Sequence, residues 1–403
     1  MSVPAAPPAP LHLAVALDGA GRHPAAWREP GARPAELFTA RHWAGLVAEA
    51  EAGLLDFVTF EDGLPLQSSS PVGPDERTDR VRGRLDAVLT AARVAPLTRH
   101  IGLVPAVTVT HTEPFHISKA IATLDHVSRG RAGLSVQVSE LAHEARLFGR
   151  RTPPFTDGEL YEEAADHIEV VRRLWDSWED DAEIRDVATG RFVDRDRLHH
   201  IDFQGRHFAV RGPSITPRPP QGLPVIGSAG DGGAAYGLIA GSADIGYLAA
   251  HDTDTVRAAV TGIRRARESS GAASDPLHLF GELTVFLDED GPAARDRLAR
   301  LDAVAGEPYA DEDAPVFAGT PAELADLLLE RRSAGLSGFR LRPGVIAHDL
   351  PALTRGLVPE LQRRGAFRRA YEANTLRGLL GLDRPANRYA TRPAADAAAG
   401  SAA

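Results

Sequence analysis

Eight short apolar runs, each followed by a stretch of helical character, set the strongest limit on what this 403-residue chain can become. The runs are Leu11–Leu17, Asp56–Phe60, Ile101–Thr108, Arg131–Val136, Leu223–Ser228, Ala243–Leu248, Leu277–Leu287 and Gly338–Arg342. A short apolar run bounded by turn residues reads as a buried strand. The helical stretches are Thr39–Ala52, Arg84–Val94, Glu113–Val127, Glu159–Trp178, Gly232–Ala240, Asp254–Ser269, Pro292–Asp302 with Pro321–Ala334, and a last one from Leu350 onward. Eight strand–helix units fit an α/β (β/α)8 barrel better than an open sheet.

The chain is longer than a minimal barrel, so insertions are expected. One covers 64–79, rich in Ser, Pro and Asp. Another covers 176–220, where His200–Phe203 and Arg206–Val210 flank Gln204-Gly205 as a small hairpin. Residues 11–390 are expected to form one barrel domain with a C-terminal helical extension available to a second subunit, giving a homodimer or homotetramer. The Pro/Ala-rich segments 1–10 and 391–403 are expected to be disordered.

Composition excludes several classes of function. A balance of 45 basic against 55 acidic residues, net −10, argues against nucleic-acid and anionic-membrane partners. Cysteine is absent, which removes disulfides, thiolate nucleophiles and Cys-based metal sites. The N-terminus has no signal-peptide pattern and no long apolar run spans a membrane, so cytoplasmic residence is the default expectation. No HExxH, P-loop lysine or GxSxG occurs, and no metal site is expected.

In a (β/α)8 barrel the active residues stand at the C-terminal ends of the strands. That rule selects Asp18 and His23 after the first strand, Glu61 and Asp62 after the second, and Thr108, Thr110 and His111 after the third. The fourth leads to Gln137 and Ser139, the sixth to His251 and Asp252, and the eighth ends in Arg340 and Arg342. The two arginines are expected to form a salt-bridged rim, with an anion clamp as the alternative. The set is mostly neutral donors, which suits a cofactor pocket. His111, as a neutral imidazole, is a candidate hydrogen-bonding group toward substrate.

The fifth strand runs into Gly227-Ser228-Ala229-Gly230-Asp231-Gly232-Gly233 and then into a helix. Strand, glycine turn and helix start present free N–H groups and a positive dipole end to an anion. A phosphate seat is the functional expectation here, with tight turning as the alternative. Asp231 is expected to be the helix N-cap. The same turn matches GxGxxA, with Asp252 about 20 residues on, so an NAD(P)-dependent oxidoreductase stays open as an alternative.

Longer stretches carry a family resemblance. IGLVPAVTVTHTEPFHISKAIATLDHVSRGRAG at 101–133, DFVTFED at 56–62, YEEAADHIEVVRRLWDSW at 161–178 and GRHFAVRGPSITPRPPQGLPVI at 205–226 resemble the luciferase-like flavin-dependent monooxygenases. The branch is that acting on aminopolycarboxylates, dibenzothiophene sulfone and long alkanes. The resemblance implies a barrel that takes reduced FMN from a separate flavin reductase and activates O2 to oxygenate a small organic substrate. It implies flavin contacts at Asp62 and Thr108, and phosphate contacts at Tyr161 and across Ser228, Gly230, Asp231 and Gly232. His23 matches a histidine beside the first strand. Asp157 stands where the family has a histidine, and Asp231 where it has a serine. Two acidic residues there weaken a dianion site. The resemblance leaves open a deazaflavin-dependent enzyme and a non-catalytic flavin-binding relative.

Overall fold

A computed structural model describes residues 10–390 except 69, 71, 72, 74, 150, 152, 272–275 and 312. The expectation of disorder at 1–10 and 391–403 falls, Pro10 aside, outside the described residues.

All eight expected runs are strands: β1 (His12–Leu17), β2 (Phe57–Phe60), β3 (Gly102–Thr108), β4 (Gly133–Gln137), β5 (Val225–Ala229), β6 (Ile245–Ala249), β7 (His278–Leu287) and β8 (Gly338–Pro343). Each pairs in parallel with the next, and β8 closes on β1. The result is a closed parallel barrel. The strands read as continuous apolar runs because both faces are buried.

The helices that cover the barrel are α1 (Ala40–Ala52), α2 (Ala87–Val94), α3 (Pro114–Ser128), α4 (Ala142–Phe148), α5 (Asp157–Asp176), α6 (Gly233–Ser242), α7 (Thr253–Ser270), α8 (Gly291–Ala305), α9 (Pro321–Arg332) and α10 (Ile346–Ala352). Short polar side chains set several of their starts. Thr156 with Glu159 opens α5, Asp252 with Thr255 opens α7, and Thr320 with Glu323 opens α9, each as a capping box.

One strand of the barrel sheet lies outside the eight expected runs. β7 is ten residues long and outruns β6, with which it pairs only from His278 to Glu282. Val316–Gly319 takes the edge left over, pairing with Thr284–Leu287. The 176–220 insertion holds the expected hairpin, reduced to Phe203–Gln204 against Ala209–Val210, and a second one of Glu183–Asp186 against Arg191–Val193.

The C-terminal extension packs on its own barrel. Leu376, Leu380 and Leu382 are buried with Phe57, Val104, Val225, Ile245 and Phe280, closing the N-terminal end of the barrel. A Cβ on Gly102 would lie 2.6 Å from Leu376 Cδ1, so this close approach requires glycine. Arg368 forms a buried ion pair with Asp56 across the same end. With that end closed, access to the barrel is from the C-terminal ends of the strands. Among the described residues, no helix is long and apolar enough to cross a membrane.

Candidate active site

A cavity of about 620 Å³ stands over the C-terminal strand ends, in the size range of cofactor sites. Among its charged lining groups is the buried Arg340. Strand register puts Glu282 of β7 directly beside Arg340 of β8. Arg340 Nε donates to Glu282 Oε1 at 2.8 Å and Nη1 to Glu61 Oε1 at 3.4 Å. The Arg340 guanidinium also lies over the ring of Tyr247 from β6. Burial raises the Glu282 pKa, and Arg340 opposes it. Arg342 is also buried and meets Asp311 at 3.3 Å. The two arginines are salt-bridged as expected, but they lie buried on the inner wall instead of on an exposed rim. Their place in β8, surrounded by strand on both sides, is the reason.

The opposite wall comes from β3, β4, α5 and the turn after β5. Thr108 ends β3. The Ser139 N–H donates to Thr110 Oγ1 at 2.8 Å, while Ser139 Oγ is buried without a partner. Tyr161, in the first turns of α5, holds its hydroxyl 3.4 Å from Glu140 Oε1. Burial, reinforced by Glu140 and Asp157, pushes that phenol up to about 12. Gly230 (φ +148°) comes so close that an added Cβ would sit 3.4 Å from the Tyr161 hydroxyl.

The N-cap of α6 is Gly232, at φ +92°, with no side-chain cap bond. Asp231 does not cap the helix as expected: its Oδ1 accepts from the Tyr236 hydroxyl at 3.0 Å instead. Glycine reaches this backbone geometry without the Cβ penalty an aspartate would meet. The first-turn N–H groups of α6 therefore carry no side-chain oxygen.

The family model of luciferase-like monooxygenases matches residues 23–338. The chain belongs to that family. It is an enzyme, a flavin-dependent monooxygenase. It is 30% identical to nitrilotriacetate monooxygenase component A of Aminobacter aminovorans, over 94% of this chain and 98% of that one. It is 29% identical to N-acetyl-S-(2-succino)cysteine monooxygenase of Bacillus subtilis (strain 168), with the same coverage. The solved long-chain alkane monooxygenase superposes with a TM-score of 0.84 at 24% identity, over 92% of this chain and 95% of that one, which speaks to the fold.

In this luciferase-like monooxygenase, Asp62, Thr108, Ser139, Tyr161, Gly230 and Asp231 line one cavity. Asp62 accepts from the Gly63 N–H at 2.7 Å and the Ala87 N–H at 3.0 Å, and burial raises its pKa. Gly232 follows as the α6 cap. Ser228 is buried within β5, off the cavity wall. Asp157 is exposed at the start of α5, one turn before Tyr161.

The two histidines stand apart from this cavity. His111 is buried, its ring stacked on Phe148 with centroids 5.3 Å apart, and burial then Arg151 lower its pKa. His23 lines a neighbouring cavity of about 410 Å³. Its Nδ1 accepts from the Ala25 N–H at 3.0 Å and its Nε2 meets Asp302 at 3.1 Å, so both nitrogens are engaged. Asp252, which a dinucleotide site would direct to a ribose, accepts from the Asp254 and Thr255 N–H groups as the α7 cap.

Tyr247, Glu282 and Arg84 line the cavity and escaped the strand-end rule. Arg84 is held by Asp18 through contacts of 3.2 and 2.9 Å. An available signal was Glu282 itself, a lone acid inside the apolar run LFGELTVFL, since a buried charge demands a partner.

Proposed function

We propose that the enzyme uses reduced FMN, delivered by a separate flavin reductase, to insert one oxygen atom from O2 into a small organic substrate in the cytoplasm. The observation that carries this reading is the convergence of Thr108, Ser139, Tyr161 and the turn Ala229–Asp231, which leads into the uncapped start of α6, on one cavity of about 620 Å³. One relative is itself named as a component A, which supports a partner protein.

The residues present fit the cofactor. The first-turn N–H groups of α6, backed by the helix dipole, would hold the phosphate, with Tyr161 as a hydroxyl donor beside them. Thr108 and Asp62 would border the ring. Bound reduced flavin supplies the reaction with O2, and the organic chemistry belongs to it. The chain's contribution is to orient and to exclude water. The plugged lower end of the barrel and the buried Arg340–Glu282–Glu61 floor keep bulk solvent out from below.

Anaerobic titration tests the reading. Reduced FMN binds more tightly than oxidised FMN, and the protein is isolated without a stoichiometric flavin. Recovery as a fully loaded yellow protein would count against delivery by a reductase.

A further inference from the structure

The start of α6 offers donors to an anion while its surroundings disfavour negative charge. The donors are the uncapped first-turn N–H groups and Ser139 Oγ, which shares the cavity with the turn Ala229–Asp231 leading into α6 and is without a partner in a residue 4% exposed. The acidic groups come from four elements. Asp231 stands in the turn, Glu140 in the loop after β4, and Asp157 at the start of α5. Glu144 and His143 of α4 line the same cavity, as do Arg84, Arg340 and Arg342, which are paired with Asp18, Glu282 and Asp311. Arg151 is spent on Glu163 and on the Thr110 carbonyl.

Two phenols report the local field. Burial first, then Glu140 and Asp157, push Tyr161 up to about 12. Burial first, then Asp231, push Tyr236 up to about 12. Surroundings that keep a phenol neutral also oppose a second charge on a phosphate, since both penalties are desolvation and repulsion between like charges.

We propose that this seat receives the polar end of a flavin but gives little advantage to a doubly charged phosphate, so that riboflavin competes effectively with FMN. This rests on the flavin reading above. The phosphate loses its second charge near pH 6, so FMN gains affinity as the pH falls from about 8 to about 5.5, while riboflavin does not. His143 also faces the cavity, and the His143→Gln variant separates its protonation from that of the phosphate.

The test is an anaerobic titration with reduced FMN and with reduced riboflavin, followed by tryptophan fluorescence, at both pH values. The expected preference for FMN at pH 8 is below about ten-fold, or ~1.4 kcal/mol. The acid gain for FMN persists in His143→Gln. Asp231→Ser raises FMN affinity at pH 8 about five-fold, an effect that shrinks with added salt, and leaves riboflavin unchanged. A larger preference for FMN at pH 8, an FMN affinity that does not rise in acid, or an Asp231→Ser variant with unaltered FMN affinity overturns the proposal and leaves the flavin reading standing. Failure of both flavins to bind overturns both.

Discussion

The guanidinium of Arg340 lies 4.0 Å from the centre of the Tyr247 ring, and the same group is bonded to Glu282 and Glu61. Three strands therefore meet in one buried charged unit beneath the cavity, with two carboxylates for one cation. A cation over a desolvated ring contributes up to about 2 kcal/mol, and the ring closes a side that water would otherwise solvate.

Replacing Arg340 leaves two buried carboxyl groups without a counter-charge. Arg340→Met is expected to lower stability by roughly 3–5 kcal/mol, the cost of breaking a buried pair on one side. Adding Glu282→Gln is expected to restore at least half of that loss, because the stranded charge goes with it. Urea unfolding of both single variants and the double variant gives the coupling, and simple additivity would contradict a paired floor.

Asp62 has a double position, on the cavity wall and under the start of α2. Asp62→Ala is expected to cost about 1 kcal/mol of stability through the lost capping bonds. It is also expected to weaken flavin binding several-fold without unfolding the barrel. Unfolding curves and flavin titrations on one preparation read the two effects separately. Unaltered flavin affinity and activity would confine Asp62 to its structural bonds.

His167 of α5 is fully buried with neither ring nitrogen bonded, and burial lowers its pKa from 6.5 to about 3. The folded state keeps it neutral, whereas the unfolded chain protonates it below about pH 6.5. Its contribution to stability is thus full above pH 6.5 and lost progressively as the pH falls toward 3. His167→Leu removes this loss. The stability difference between the variant and the parent is expected to shift in the variant's favour by ~1.4 kcal/mol per pH unit below pH 6.5. A difference independent of pH would mean that the buried ring takes up a proton in the fold.

The barrel was legible because strands buried on both faces leave continuous apolar runs that no other element of this length mimics. Val316–Gly319 was not, because its partner edge exists only where β7 outruns β6, a consequence of register between distant segments. The short helix α4 was missed for a local reason: Leu141 supplies no capping side chain, and Leu147 and Phe148 stay exposed. At the site, strand ends could be named from the barrel rule, which reached Asp62, Thr108 and Ser139. Tyr247 and Glu282 lie within strands, and only register places Glu282 beside Arg340. Residue preference points to Asp231 as the cap, but Gly232 at φ +92° takes that position.

A cavity that holds reduced flavin must also control its reaction with O2. The direct measurement is a stopped-flow mix of the protein with reduced FMN, prepared anaerobically, against aerated buffer. Control by the cavity predicts reoxidation kinetics distinct from those of free reduced FMN, with a transient absorbance belonging to neither the reduced nor the oxidised flavin. Reoxidation matching the free cofactor in rate and spectrum, with the flavin shown to be bound, would contradict it.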